Sequence, residues 1–187
     1  MNLKPVLIAA GFIAMPAFGD DTQLLENARQ VAASMPPKLL EVLTREIAKG
    51  GPENAIAVCR ETAPAMAKAA SEKTGWAIRR VSLRNRNPKA VPDAWEKAVL
   101  EDFDRRVAAG ESPAALEKVE TVTGDGKKVF RYMKALPTQE LCLQCHGAPE
   151  HLSPAVKAKL QELYPGDKAV GYGLKQIRGA ITLKKAL

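Results

Sequence analysis

The sequence predicts an α+β fold in which helices come first and an antiparallel sheet follows. Apolar residues recur at intervals of three and four through the first third of the chain, which is typical of amphipathic helices. Strand-like segments and a hairpin signal come next, and an alternating apolar segment lies near the end. Helices gathered before strands favour the α+β class. Because the sequence shows no internal repeat and no low-complexity linker, residues 20–187 are predicted to form one domain.

The first third of that domain is predicted to be helical. Residues 22–34 and 38–49 have apolar faces at helical spacing, and the Pro36-Pro37 pair between them is expected to separate two helices. A third helix is predicted over residues 52–73. Pro64 lies inside that segment, so a kink or a break is expected about one turn before it.

The rest of the chain alternates strands, turns and helices. Gly124-Asp125-Gly126 lies between two strand-like segments and predicts a hairpin. The last segment places Ile177, Gly179, Ile181 and Leu183 at alternate positions, which indicates a strand with one buried face. The other predicted elements are a strand over 76–83, a helix over 94–109, hairpin strands over 119–123 and 127–135, and a helix over 154–163.

Residues 1–19 have the pattern of a signal peptide. A short positive start ending at Lys4 precedes an apolar run, and Ala17-Phe18-Gly19 supplies the small residues of a cleavage site. The run is shorter than the roughly 20 apolar residues that span a bilayer. We therefore expect export to the periplasm and a mature chain that is not an integral membrane protein, with a retained anchor as the alternative.

The net charge gives only weak information about partners. The full chain carries a formal charge of +7, and removal of residues 1–19 leaves +6 because Lys4 is the one charged residue among them. The cations are scattered and no nucleic-acid recognition motif occurs, so nucleic acid is not an expected partner.

The pentad from Cys142 to His146 is the strongest functional signal. Its sequence, Cys-Leu-Gln-Cys-His, is the attachment signature of c-type haem. If the segment is helical, Cys142, Cys145 and His146 lie on one face, because positions i, i+3 and i+4 are neighbours there. The two thiols can then form thioethers with one porphyrin, while His146 binds the iron. The sequence predicts one covalently bound haem c.

Two other interpretations of the cysteines compete with haem attachment. A redox-active dithiol also has Cys-x-x-Cys spacing, but it normally lies within a βαβ pattern that is not evident here. A zinc site could combine Cys142 and Cys145 with His151 and Cys59. Neither alternative requires a histidine directly after the second cysteine.

The second axial ligand of the iron is left open by spacing. His151 follows His146 by five residues, so both side chains would lie on the same side of the haem. Thioether ligands are available from Met35, Met66 and Met133, and Cys59 is a further soft ligand. Cys59 is equally consistent with a small buried residue on a helix face, which is the usual environment of a free cysteine.

Several ordered segments give the chain a resemblance to a known family. The chain resembles the single-haem c-type proteins with a PAS-like domain, found alone or as the extracytoplasmic sensing part of histidine kinases. That resemblance implies a PAS-like antiparallel sheet flanked by N-terminal helices, with iron bound by His146 and Cys59. The matching segments are residues 54–59, 63–64, 81–88, 92–96, 142–147, 171–172 and 177–180.

Two arginines and three aromatic residues are further candidates for haem contacts. Arg84 and Arg86 could pair with the haem propionates, since a guanidinium group offers two donors to a carboxylate. The alternative is that both are solvated loop charges. An aromatic contact with the porphyrin and an ordinary core role are both open for Trp76, Phe130 and Tyr132.

Two classes of function follow from these features. The first is periplasmic electron transfer at low potential, because a thiolate ligand favours ferric iron. Its partner would be an unidentified periplasmic or membrane redox protein. The second is a haem-based redox or gas sensor that acts through a separate partner protein. An enzymatic function is not expected, because the residues indicate no acid–base pair.

Overall fold

The computed structural model describes residues 18–124 and 126–187. Residues 1–17, most of the predicted signal peptide, lie outside the described part. The helices there are α1 (Phe18–Gly50), α2 (Pro52–Thr74), α3 (Ala94–Ala108), α4 (Glu140–His146) and α5 (Pro154–Leu163). The strands are β1 (Ala77–Val81), β2 (Glu117–Gly124), β3 (Lys127–Pro137) and β4 (Ile177–Ala186), and three short 3-10 helices lie at 88–90, 113–115 and 149–151.

The four strands form one antiparallel sheet in the order β1-β4-β3-β2. In its register Leu183 of β4 lies opposite Ile78 on one side and Tyr132 on the other. Tyr132 in turn lies opposite Val119 of β2. The predicted α+β class, with an antiparallel sheet flanked by helices, is therefore confirmed.

Strand β4 is buried on both faces, which differs from the alternating pattern expected from the sequence. Its first seven residues, from Ile177 through Leu183, are all buried. Because β4 lies between β1 and β3, and helices cover both faces of the sheet, side chains of either parity are enclosed. Gly179 has φ +154°, and a Cβ there would lie 2.3 Å from the Val81 carbonyl oxygen.

Helix α1 is continuous, so the expected separation at Pro36-Pro37 is wrong. The two prolines remove amide donors from the middle of the helix, yet their fixed φ is compatible with helical geometry. The amino-terminal half packs on the sheet and α1 also packs along α2, and this tertiary packing holds both halves. Helix α2 likewise runs through Pro64 without a break.

Helices pack on opposite faces of the sheet. Val99, Leu100 and Phe103 of α3 cover one face. Ala28 and Ala32 of α1 cover the other, together with Trp76, Phe130 and Tyr132, which take an ordinary core role. A third apolar cluster joins α2 to α5.

The other predicted elements agree closely with the structure. Helix α5 has the bounds that its apolar spacing predicted, and α3 ends one residue earlier than expected. Among the described residues, no helix combines the length and apolar character needed to cross a membrane.

Candidate functional site

A cavity of about 770 Å³ lies between the helices and one face of the sheet. This volume falls in the range of about 300–1,000 Å³ that is usual for small-molecule and cofactor sites. Most of its wall is apolar and comes from the carboxyl-terminal half of α1, from α2 and from α4. The ends of β1, β3 and β4 and the loop after β1 complete it.

The pentad forms the short helix α4 along this cavity. Cys142, Cys145 and His146 all line the cavity from that helix, as the i, i+3, i+4 spacing predicts. The helix ends at Gly147, whose N–H donates to the Leu143 carbonyl. A Cβ at Gly147 would lie 2.5 Å from that same oxygen, so only glycine fits this ending.

The imidazole of His146 is held by a hydrogen bond to Ala169 and lies beside Arg178, whose Nε is 3.2 Å from Nδ1. Its Nδ1 lies 2.6 Å from the carbonyl oxygen of Ala169, and because a carbonyl only accepts, Nδ1 carries the proton. Nε2 therefore keeps its lone pair, which is the arrangement found in histidine ligands of metals. Burial, followed by repulsion from Arg178 and Arg86, holds the pKa of His146 well below its usual value. The ring is neutral at physiological pH.

Arg86 ties the attachment helix to the segment that carries Ala169. Its guanidinium group forms a buried ion pair with Asp167 at 2.9 Å and donates to the Cys145 carbonyl at 2.6 Å. Asp167 in turn accepts from the backbone N–H of Ala169. This side chain therefore supports both α4 and the carbonyl that orients His146.

Cys59 lines the same cavity from helix α2. Burial raises the pKa of this thiol, while the positive charges of Arg80, Arg86 and Arg178 lower it to a smaller extent. The cavity thus brings together the histidine and the cysteine that the family resemblance implies as axial ligands. Met35 and Met66 also line it, whereas Met133 is buried in the core on the α3 side of the sheet.

The wall of the cavity is positively charged. Among the described residues that line it are seven lysines and arginines and no aspartate or glutamate. An apolar enclosure with cations in its wall suits a planar apolar molecule that carries carboxylates. The chemistry of these residues therefore fits haem with its two propionates. The seven cations are Lys68, Arg79, Arg80, Arg86, Lys89, Lys134 and Arg178.

Three of these arginines, Arg79, Arg80 and Arg178, were not predicted from the sequence. Arg178 donates to the Ser82 hydroxyl at 3.0 Å, and its Nε lies 3.4 Å from Nε2 of His146. Arg80 lies on β1 and opens into the cavity. All three lie within strands, and no local sequence pattern indicates which face such a residue occupies. The signal that could have found Arg178 is its place in the family segment at 177–180.

The structure separates the two arginines that were predicted to bind propionates. Arg86 lines the cavity but is paired with Asp167. Arg84 is not among the described residues that line it. Its guanidinium group donates to the carbonyls of Lys168 and Val170 and lies 4.3 Å from the ring centroid of Tyr172. Arg84 therefore holds the loop beside α4, and the propionate role predicted for it has no geometric support.

The alternative zinc site is not assembled. His151 lies in an exposed 3-10 turn after α4. Within the described part of the chain, no three His, Cys, Asp or Glu side chains are grouped so as to hold a metal ion. The cysteines remain as three free thiols around one cavity.

Comparisons with known proteins agree with this fold. The crystal structure of the cyanobacterial haem protein Tll0287 matches with a TM-score of 0.61 and 24% identity, covering 90% of this chain and 95% of that one. At this identity the likeness shows the fold. No curated protein sequence matches the chain. A family model described as Tll0287-like matches residues 20–185, so the resemblance drawn from the sequence segments is confirmed. By this match across nearly its whole length, the chain belongs to the Tll0287-like family.

Proposed function

We propose that this protein is an exported cytochrome that binds one covalent haem c and transfers electrons in the periplasm at low potential. Cys142 and Cys145 hold the haem through thioethers, and His146 and Cys59 are the axial ligands. In this role the protein is an electron carrier and not an enzyme. Its partner is another redox protein of the periplasm or the membrane.

The observation that carries the proposal is the shared cavity of Cys59 and the pentad. The two groups come from different helices and are far apart in the sequence, yet both line one apolar enclosure. Packing contacts between α2 and α4 fix the two helices relative to each other. A plain core cysteine would not need a cavity of cofactor size beside it.

The residues around the cavity perform distinct tasks. Haem supplies one-electron redox chemistry when it is bound. His146 presents Nε2 because Ala169 holds the proton at Nδ1. The apolar side chains of α1 and α2 exclude water, which strengthens the electrostatic effect of each nearby charge. Sulfur ligation from Cys59 favours the ferric state and so supports a low potential.

Sensing is the second candidate, and one structural feature favours it. Cys59 lies on the 23-residue helix α2, which packs along α1. Loss of Cys59 from the iron would remove one tie between α2 and the haem, and α2 could pass the change on to α1. A sensor of this kind would act through a separate partner protein.

Redox titration combined with carbon monoxide binding separates the two candidates. For an electron carrier we expect a reversible one-electron transition and a ferrous spectrum that carbon monoxide does not change. Rapid binding of carbon monoxide with loss of the thiolate absorption would favour the sensor. The titration uses the full holoprotein, so neither result depends on knowing the partner.

Substitution of Cys59 tests the axial ligand. Cys59→Ala should leave the haem attached and change the visible spectrum of the ferric protein. The matched control is Met66→Leu, since Met66 lines the cavity from the same helix and also carries sulfur. A changed spectrum in the Met66 variant together with an unchanged one in Cys59→Ala would assign the ligand to methionine.

Substitution of Cys142 tests covalent attachment. Cys142→Ala should reduce the haem that stays with the chain on a denaturing gel, and the double variant with Cys145→Ala should abolish it. Gln144→Ala is the control, because this exposed residue lies between the two cysteines. Full retention of haem in the double variant would overturn the proposed thioethers.

A further inference from the structure

Arg80 occupies an unusual position in the cavity wall. It is the fourth of the five residues of β1, and its exposed side chain lines the cavity. Desolvation by the surrounding protein lowers the pKa of the guanidinium group, and the neighbouring Arg86 lowers it further. The group nevertheless remains a cation at physiological pH, because arginine titrates so far above neutrality.

Neighbouring arginines in the wall have partners, whereas Arg80 has none. Arg79 pairs with Glu96 at 2.5 Å and Arg86 pairs with Asp167 at 2.9 Å. Arg178 donates to Ser82 at 3.0 Å. The guanidinium group of Arg80 makes no hydrogen bond or ion pair with any described side chain. The two unpaired lysines of the wall, Lys89 and Lys134, differ from it in chemistry, since an ammonium group lacks the planar pair of donors of a guanidinium group.

Once a ligand fills the cavity and displaces its water, a guanidinium group in the wall without an acceptor is energetically unfavourable. The cavity wall offers no carboxylate among its described residues, so the acceptor must come from whatever fills the cavity. A planar guanidinium group pairs best with a carboxylate, which accepts two parallel hydrogen bonds. The side chain therefore selects a ligand that carries a carboxylate on an otherwise apolar body.

We propose that Arg80 binds a propionate of the haem, in the role that the sequence predicted for Arg84 and Arg86. This inference rests on the proposed haem binding and adds the residue that orients the propionate edge. Arg86 is already paired with Asp167, and Arg84 does not line the cavity, so neither is available to bind the carboxylate. The positive charge of Arg80 also raises the reduction potential, because it disfavours the ferric state.

The test compares Arg80→Gln with wild-type holoprotein. At a fixed ambient potential we expect the ratio of ferric to ferrous haem to rise about tenfold, which is about 59 mV for one electron. The carboxylate bands of the propionates in the infrared difference spectrum should shift at the same time. Arg105→Gln is the matched control, since it removes the same charge from an exposed position on α3. Neither quantity should change in it.

Arg80→Lys completes the series by keeping the charge without the paired donors. It should retain most of the wild-type potential while the carboxylate bands still shift. If Arg80→Gln fails to accumulate as holoprotein, the shifted bands of Arg80→Lys carry the test.

Two results would overturn the inference. One is a potential and carboxylate bands in Arg80→Gln that match those of Arg105→Gln. The other is an altered thiolate absorption with unchanged carboxylate bands, which would assign Arg80 to Cys59 instead. Failure of the proposed function is recognised separately, because the wild-type protein itself would then lack covalent haem.

Discussion

His146 hydrogen-bonds to a carbonyl on a segment that Arg86 holds in place. The guanidinium group contacts Asp167, the Cys145 carbonyl and, at 3.4 Å, the Ala169 carbonyl. One buried side chain therefore connects the attachment helix with the acceptor that orients the imidazole. The orientation of His146 depends on residues from three separate stretches of the chain.

Arg86→Gln should destabilise the holoprotein by about 3 kcal/mol, because removal of one partner leaves the other as an uncompensated buried charge. Asp167 is only 10% exposed in its side chain, so water cannot replace the lost partner. Denaturant unfolding of the holoprotein measures the free energy of unfolding.

Arg84→Gln is the control for Arg86, because the two arginines lie in the same loop. Its guanidinium group is largely exposed and contacts only carbonyls and the Tyr172 ring, so the expected loss is below about 1 kcal/mol. Equal losses of unfolding free energy in the two variants would show that the buried pair with Asp167 contributes no more to stability than the exposed contacts of Arg84.

Strands β1 and β4 approach each other closely at Gly179. Gly179→Ala should lower the free energy of unfolding by about 3 kcal/mol, because the new Cβ meets the Val81 carbonyl at 2.3 Å and the φ of +154° is strained for any side chain. Thermal or denaturant unfolding measures the change. Gly166→Ala is a suitable control, since a Cβ there meets nothing within 4 Å. A loss confined to Gly166→Ala would contradict the close approach.

Helix α3 carries a fully buried carboxylate, Glu96, which faces the sheet. Arg79 lies 2.5 Å from it, and Arg131 and Lys184 each lie 3.4 Å from it. Burial by itself raises the pKa of Glu96. The hydrogen bonds that Glu96 accepts from Arg79 and from the backbone N–H of Asp93 outweigh burial and lower this pKa. The pKa of Asp93 at the helix start is lowered for similar reasons, with Lys184 and Arg131 as donors.

The stabilisation that this network provides should decrease as the pH falls. Both carboxyls have folded-state pKa values below the unfolded values of about 4. Their contribution is complete above that pH and is lost as the pH falls through the folded-state values. We expect the free energy of unfolding to decline below about pH 5, measured by denaturant titration at several pH values.

Glu96→Gln should reduce this acid dependence and cost about 3 kcal/mol at pH 7, because Arg79 loses its carboxylate partner while Arg131 and Lys184 keep Asp93. Glu101→Gln, which removes a half-exposed carboxylate from the same helix, is the control and should change stability by less than about 1 kcal/mol. An unaltered slope with pH in Glu96→Gln would show that other carboxyls govern acid unfolding.

The sequence correctly predicted the elements that are determined by neighbouring residues, such as caps, turns and apolar spacing. Helix α5 follows from Ser153, which caps it, and from its apolar spacing, while the Gly124–Gly126 turn fixes the hairpin. The continuity of α1 was not predictable, because packing on the sheet and on α2 offsets the local cost of two prolines. The burial of both faces of β4 depends on its central place in the sheet, which no property of the strand alone reveals.

In the candidate site, too, the contiguous features were predictable from the sequence and those that depend on tertiary packing were not. The pentad is contiguous, so its sequence predicted the haem attachment and the helix that bears it. The neighbourhood of Cys59 depends on packing between α2 and α4, and only the family resemblance indicated it. Arg80 and Arg178 face the cavity because of strand register, while the conspicuous Arg84 faces the loop.

For the whole molecule, net charge should govern how it meets a partner. The mature chain is predicted to carry +6, and a cluster of cations surrounds the proposed haem. Electron transfer with an acidic redox protein should slow by about tenfold or more between low and high salt, as attraction is screened. Stopped-flow mixing measures the rate. Reduction by an uncharged small molecule is the control, and equal salt dependence for both would exclude steering by charge.

Helix α1 spans two environments that meet at Pro36-Pro37. Ala28 and Ala32 before the prolines are fully buried against the sheet, whereas Leu39, Leu43 and Ile47 beyond them face the cavity. The two halves therefore have different surroundings: the first packs on the sheet, and the second also borders the cavity. Amide hydrogen exchange in residues 38–50 would report cofactor loading during biogenesis, while exchange before Pro36 would stay constant. Exchange in the first half of α1 thus serves as an internal reference for exchange in the second half when the cofactor is incorporated.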